Sequence, residues 1–205
     1  MRRRRIWQLA AGGAAIAVAG CGMALILAGQ SAALVPDPAR ARAMMPAIVA
    51  YLESSTYRKE DGLGDYSAAD YQTGRIRWLC NAALVEVRSA GGRWRAGMDV
   101  ACGNYERRSS AVDLLDGGDM GHVVMVLSGG SRYQVVSAAS EGGISPDPAW
   151  IGRHFSRQAA GVVDSGTGPV ASMPDDQALL AFGCAADVQG AYGSQAAETW
   201  PCRPQ

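Results

Sequence analysis

Residues 76–103 read IRWLCNAALVEVRSAGGRWRAGMDVACG. Two runs rich in β-branched and aromatic residues flank Ala90-Gly91-Gly92, the pattern of a β-hairpin. Centring the turn on Gly91 makes Cys80 face Cys102. The same face then carries Trp78, Ala82 and Leu84 on one strand and Trp94, Ala96, Met98 and Val100 on the other. Arg77, Asn81, Arg93, Arg95 and Asp99 take the opposite face, with Val85 and Val87 as exceptions. A slip of one residue would break both the apolar face and the cysteine pair. Directly opposed residues are close enough for a disulfide, so the register predicts Cys80–Cys102.

Two further cysteines, Cys184 and Cys202, lie near the C-terminus. Four cysteines allow three pairings, and the sequence by itself leaves the choice open. With Cys80–Cys102 taken from the hairpin, Cys184–Cys202 follows by elimination and staples the Gly-rich tail to the last helix. No cysteine pair has metal-type spacing, and two histidines are too few for a typical zinc site. Neither a metal nor a cofactor is expected.

An even number of cysteines suits an oxidising compartment, and the N-terminus agrees. Residues 1–5 are MRRRR, and residues 6–29 form an apolar run with Gln8 the main polar interruption. As a helix, that run would span about 36 Å, enough for a hydrocarbon core of about 30 Å. Arginines on its N-terminal flank predict that end inside and the remainder outside. Length favours an uncleaved single-pass signal anchor in the cell membrane. Two alternatives stay open. Val18-Ala19-Gly20-Cys21 resembles a lipobox, with Cys21 the acylated residue, although MALILAG continues the apolar run after it. Cleavage near Ser31-Ala32-Ala33 would release a secreted chain. The anchor reading gives a basic cytoplasmic end (1–5), a transmembrane anchor (6–29), a linker (30–36) and an extracytoplasmic domain (37–205).

The chain has 205 residues and 48% apolar content, so the part beyond the anchor suits one domain with a real core. Setting aside Arg2, Arg3, Arg4 and Arg5 leaves 15 of 19 basic residues against 19 acidic ones, a net of about −4. That balance argues against nucleic-acid binding, which needs a basic face.

Asp37-Pro38 is a cap followed by proline at the first helical position. Met44, Ile48 and Leu52 follow on one helical face. Pro46 either kinks this helix or marks its start. Residues 54–74 are polar and read as a loop with a short helical turn. NYERRSSAVDLLDGG (104–118) continues as strand and turn, and GHVVMVLSGGSRYQVVSAAS (121–140) gives a second hairpin. Its turn is placed at Gly129-Gly130, which sets Val124 opposite Val135 and Val126 opposite Tyr133. Asp147-Pro148 repeats the cap signal, with Ile151 and Phe155 on one face. A last short helix around DDQALLAF ends at Gly183. The expected fold is α+β: a curved antiparallel sheet of about four strands, an N-terminal helix packed on it, and short C-terminal helices.

That order and size resemble the nuclear transport factor 2-like (cystatin-like) fold. ACGNY (101–105), GDMGHVVMVLSG (118–129), DPAWIGRHFS (147–156) and GPVASMPDDQALLAFGC (168–184) also look like stretches of uncharacterised exported actinobacterial proteins. The resemblance covers roughly residues 75–184 and implies no catalytic residues. A short inner end, one span and one outer domain are similar to the assembly scaffolds of conjugation and type IV secretion machines.

The candidate chemical groups each have a plainer reading. Val162-Val163-Asp164-Ser165-Gly166-Thr167 resembles the aspartic-protease signature, but that chemistry needs two carboxylates, and Gly168-Pro169 breaks the strand that should follow. A Gly-rich surface turn accounts for it. His122 and His154 could form an acid–base pair; structural histidines account for both. Ser109 and Ser110 lack a nucleophile-elbow setting. Arg107-Arg108 and the Arg77/Arg93/Arg95 group would suit an acidic partner, or simply the solvated face of a sheet. No Gly-rich stretch has phosphate-loop form. The sequence therefore points to a non-catalytic, membrane-tethered interaction or scaffold domain whose partners are other cell-envelope proteins. The alternative is a secreted or lipid-anchored small-ligand-binding protein, or minor enzyme, using a cone-shaped pocket.

Overall fold

The computed structural model describes residues 34–35, 37–60, 66–141, 147–185 and 199–203. The expected membrane segment, residues 6–29, and Cys21 lie outside the described residues. Among the described residues, no helix is long and apolar enough to cross a membrane.

The elements run α1 (Pro38–Leu52), α2 (Ser55–Glu60), α3 (Ala68–Gln72), β1 (Ile76–Ala90), β2 (Arg93–Arg108), β3 (Ala111–Ser128), β4 (Gln134–Ser140), α4 (Pro148–His154), α5 (Arg157–Asp164), α6 (Asp175–Ala181) and β5 (Thr199–Pro201). The strands make one antiparallel sheet in the order β1-β2-β3-β4. β5 joins β3 at Ala111–Asp113, on the edge that β4 leaves free. The expected α+β class is therefore observed, with one short strand more than expected.

The register of β1 on β2 is the predicted one from Ile76↔Glu106 to Leu84↔Met98, with Cys80 opposite Cys102. Nearer the turn it differs by one residue. Gly91 and Gly92 both have positive φ, 59° and 77°, and close a two-residue turn between Ala90 and Arg93. Such turns match the twist of the flanking strands. The odd residue is absorbed by a bulge at Val85. The bulge also explains the two exceptions in the sequence pattern. It switches Val87 onto the face of Leu84 and Met98, while Val85 stays on the other face among a second set of apolar side chains.

The second hairpin departs further. Leu127 pairs with Val135, Val124 with Ala139 and Val126 with Ser137. The connection is Gly129–Tyr133 rather than Gly129-Gly130. At Gly129, φ is 108°, and a Cβ there would lie 2.1 Å from the Arg132 carbonyl oxygen, so the chain folds tightly back on this glycine. The longer loop lets Val123, Met125 and Leu127 share a face with Val135, which the predicted register would have opposed.

Helices cover both faces. On one face α1 lays Met44, Ile48 and Leu52, each 0% exposed, against Trp78, Met98, Met125 and Leu127. The Asp37 carboxylate caps α1 by accepting the Arg40 N–H. Pro46 sits inside the helix on its exposed side, so it neither starts nor ends it. The polar stretch expected as a loop contains α2 and α3, and Tyr57 of α2 is buried. On the other face Ile151, Phe155, Ala159, Val162 and Val163 of α4–α5 pack on Val85 and Val124. There α6 and β5 enclose Tyr105 and Val112. Leu34, assigned by sequence to the linker, is 7% exposed and belongs to this layer.

Candidate functional site

Both cysteine pairs are bonded, Cys80–Cys102 with Cα atoms 4.1 Å apart and Cys184–Cys202 with 5.0 Å. The first separation fits the narrow, non-hydrogen-bonded class of opposed residues. Accordingly the Cys80 N–H points away from β2 and donates to Glu53 Oε1 at 3.2 Å. Burial raises the Glu53 carboxyl above its usual value. The second bridge holds the tail where the Cys202 N–H donates to the Ser110 carbonyl at 2.7 Å. Ser109 and Ser110 form the β2–β3 turn, Ser109 with φ +43°.

The sheet brings three titratable groups into one row. Asp99 on β2 pairs with His122 on β3, and Glu141, just past β4, donates its N–H to the His122 carbonyl. Asp99 Oδ1 lies 3.7 Å from His122 Nε2, and Glu141 Oε2 lies 3.4 Å from His122 Nδ1. The ring packs edge-on against Phe155, centroids 6.0 Å apart. Each carboxylate also holds a loop. Asp99 Oδ2 accepts the Ala171 N–H at 2.6 Å, and Glu141 Oε1 accepts the N–H of Asp147, the cap of α4. Burial raises the Asp99 carboxyl above its usual value; the Ala171 hydrogen bond and His122 oppose that.

This row is built to bind loops. Its carboxylates face opposite ring nitrogens and so cannot converge with the imidazole on one ion. Among the described residues, no hydroxyl or thiol bonds to His122, and none forms a metal-type cluster. Glu141 escapes sequence reading because its place beside His122 depends on the β3–β4 register, and the register read from sequence puts Ser137 there instead.

The remaining candidates disperse. His154 stacks on Trp150 at 4.1 Å, and its Nδ1 lies 2.9 Å from the Trp150 carbonyl oxygen. The protease-like motif is the C-terminal end of α5. Val162 and Val163 are buried, Ser165 Oγ donates to the Val162 carbonyl, and Gly166 takes φ +63° to stop the helix. Asp164 is exposed there. Arg107 donates to the Phe182 carbonyl, and Arg108 pairs with Glu106 and Asp113. Arg77 lies over Phe182, at the opposite end of the sheet from Arg93 and Arg95, so the arginine group read from sequence is divided.

A groove of about 630 Å³ opens where the chain enters the domain. The N-terminal turns of α1 form one wall (Pro38, Arg42), the β1 bulge its floor (Leu84, Val85), and the loop after α5 the other wall (Thr167, Pro169). No family model, curated protein or solved structure matches the chain. The likeness to the nuclear transport factor 2-like fold therefore rests on element order alone.

Proposed function

We propose that this chain is a membrane-tethered, non-catalytic interaction domain of the cell envelope, of the kind that serves secretion or conjugation assemblies. The observation that carries this reading is the filled interior between α1 and the sheet. A ligand-binding cone in such a fold would open there, yet Met44, Ile48, Met98, Met125 and Leu127 are all fully buried in it. Asp99 and His122 turn to the other face, where Asp99 holds the loop at Ala171 and His122 lies between Asp99 and Glu141. The bonded cysteine pairs suit an oxidising exterior.

The test is cross-linking in the native host, followed by purification of the full-length chain from the membrane fraction. Envelope proteins that co-purify in fixed ratio support the reading. A chain that leaves the membrane in carbonate, or remains a lone monomer throughout, overturns it.

A further inference from the structure

The end of the sheet nearest the chain entry has a distinct chemistry. The β1–β2 turn and the β3–β4 loop lie side by side there, since Trp94 pairs with Leu127. Their charged residues are Arg88, Arg93, Arg95 and Arg132 against one carboxylate, Glu86, which is 2% exposed. Among the described residues, Arg93 and Arg132 make no ion pair. Arg88 and Arg95 are direct cross-strand partners, an arrangement that costs stability. Burial and the opposed Arg88 lower the affinity of Arg95 for its proton, and Glu86 opposes them. Glu86 lies 3.5 Å from Arg88, and the His154 carbonyl accepts two N–H groups of Arg95. Two opposed arginines thus share the single carboxylate of Glu86. Half-buried Trp94 and Tyr133 sit at the same end, and the Arg40 guanidinium lies 4.0 Å over the Trp94 ring while pairing with Asp37 at 3.4 Å. Arginine with tryptophan and tyrosine is the side-chain chemistry of a membrane–water boundary.

The chain entry fixes where this end lies. Leu34 is buried beside the α1 N-terminus, and the apolar run ends at Gly29. Five extended residues reach at most about 18 Å. We infer that the arginine-bearing hairpin end of the sheet docks on the anionic headgroups of the membrane that holds the chain. This rests on the tethered reading proposed above. The groove beside Leu34 then opens toward the lipid surface, and the opposite end of the sheet, with α6 and β5, is left for partners.

The test uses the full chain reconstituted in vesicles of phosphatidylcholine, with or without one third phosphatidylglycerol, and amide hydrogen exchange at residues 88–94 and 129–134. Carbonate resistance checks the tether independently. The expected result is slower exchange at both turns only in the anionic vesicles, reversed by 0.5 M salt. Each arginine near an anionic surface is a factor of about five in local binding. The triple variant Arg88→Gln/Arg93→Gln/Arg132→Gln, which leaves the buried contacts of Arg95 intact, should therefore exchange as fast as the protein in phosphatidylcholine. Equal exchange in both vesicles, with the chain still inserted, overturns the docking and leaves the tether standing. Slow exchange that persists in pure phosphatidylcholine overturns the role of charge. Extraction by carbonate overturns the tether and the docking together.

Discussion

Gly97 has no side chain because Phe155 occupies the place where one would go: a Cβ there would lie 2.5 Å from the ring. The ring is packed among α4, α5 and the sheet and has little room to turn. Gly103 is crowded as well, but its two nearest neighbours are the ends of partly buried Leu114 and Met173, at 2.7 and 3.0 Å, with the buried Tyr105 ring at 3.1 Å. Gly97→Ala should therefore cost about 1–3 kcal/mol, the usual toll of overpacking, and Gly103→Ala less; urea midpoints of the two variants will tell. Asp99 gives a second expectation at this scale. Its folded carboxyl is raised, so the folded state holds the proton more tightly than the unfolded chain does. That contribution to stability is complete below the unfolded value of about 3.9 and is lost as pH rises through the raised folded value. Glu53 and Asp175 are raised by burial in the same sense. Asp99→Asn keeps an acceptor for the Ala171 N–H, so the fall in urea midpoint on going from pH 4 toward neutrality should become shallower. An unchanged slope would count against a buried, proton-retaining Asp99.

Single elements show where local pattern suffices. Met44, Ile48 and Leu52 recur at helical spacing, and Asp37-Pro38 opens the helix they belong to, so α1 and its buried face follow from the sequence. Pro46 is the inconsistent residue, since it deprives the Arg42 carbonyl of its helical donor. It is tolerated because it lies on the exposed side, where its ring displaces no core side chain. Pro46→Ala restores that hydrogen bond and should raise stability by about 1–3 kcal/mol, less whatever the unfolded chain gains in freedom. A thermal melt reads this directly, and a lowered midpoint would mean that the proline serves the helix. Besides the helices in the polar stretch 54–74, β5 and α5 escaped sequence reading. Strand β5 is three residues long and carries no periodicity, and α5 hides its apolar face inside a stretch that looks like a protease motif.

At the scale of the molecule the two disulfides act on different parts. Cys80–Cys102 closes a separation of 22 residues across the central hairpin, and Cys184–Cys202 one of 18 residues that ties β5 and the tail to α6. Chain-entropy reasoning gives each loop about 3 kcal/mol. Removing Cys80–Cys102 by a double alanine substitution should lower global stability by about that amount. Removing Cys184–Cys202 should chiefly free β5, seen as fast amide exchange at Val112 and Trp200 while β1 and β2 stay protected. Equal effects of the two variants on all strands would show that the tail folds with the whole sheet.

The sequence by itself determined the first hairpin register from Ile76 to Leu84, with Cys80 opposite Cys102, α1 with its buried face, and the caps at Asp37 and Asp147. Each depends on residues a few positions apart, or on a hairpin whose two faces differ so sharply that one register satisfies them. Tertiary structure alone decided the Val85 bulge, the five-residue β3–β4 loop, the seating of His122 between Asp99 and Glu141, and the separation of Arg77 from Arg93 and Arg95. The bulge exists because a two-residue glycine turn and a fixed cysteine pair differ by one residue, and the strand between them has to absorb it. The His122 row and the division of the arginines follow from strand pairings and helix docking that no local periodicity encodes. Both are settled when helices bury the two faces of the sheet at once.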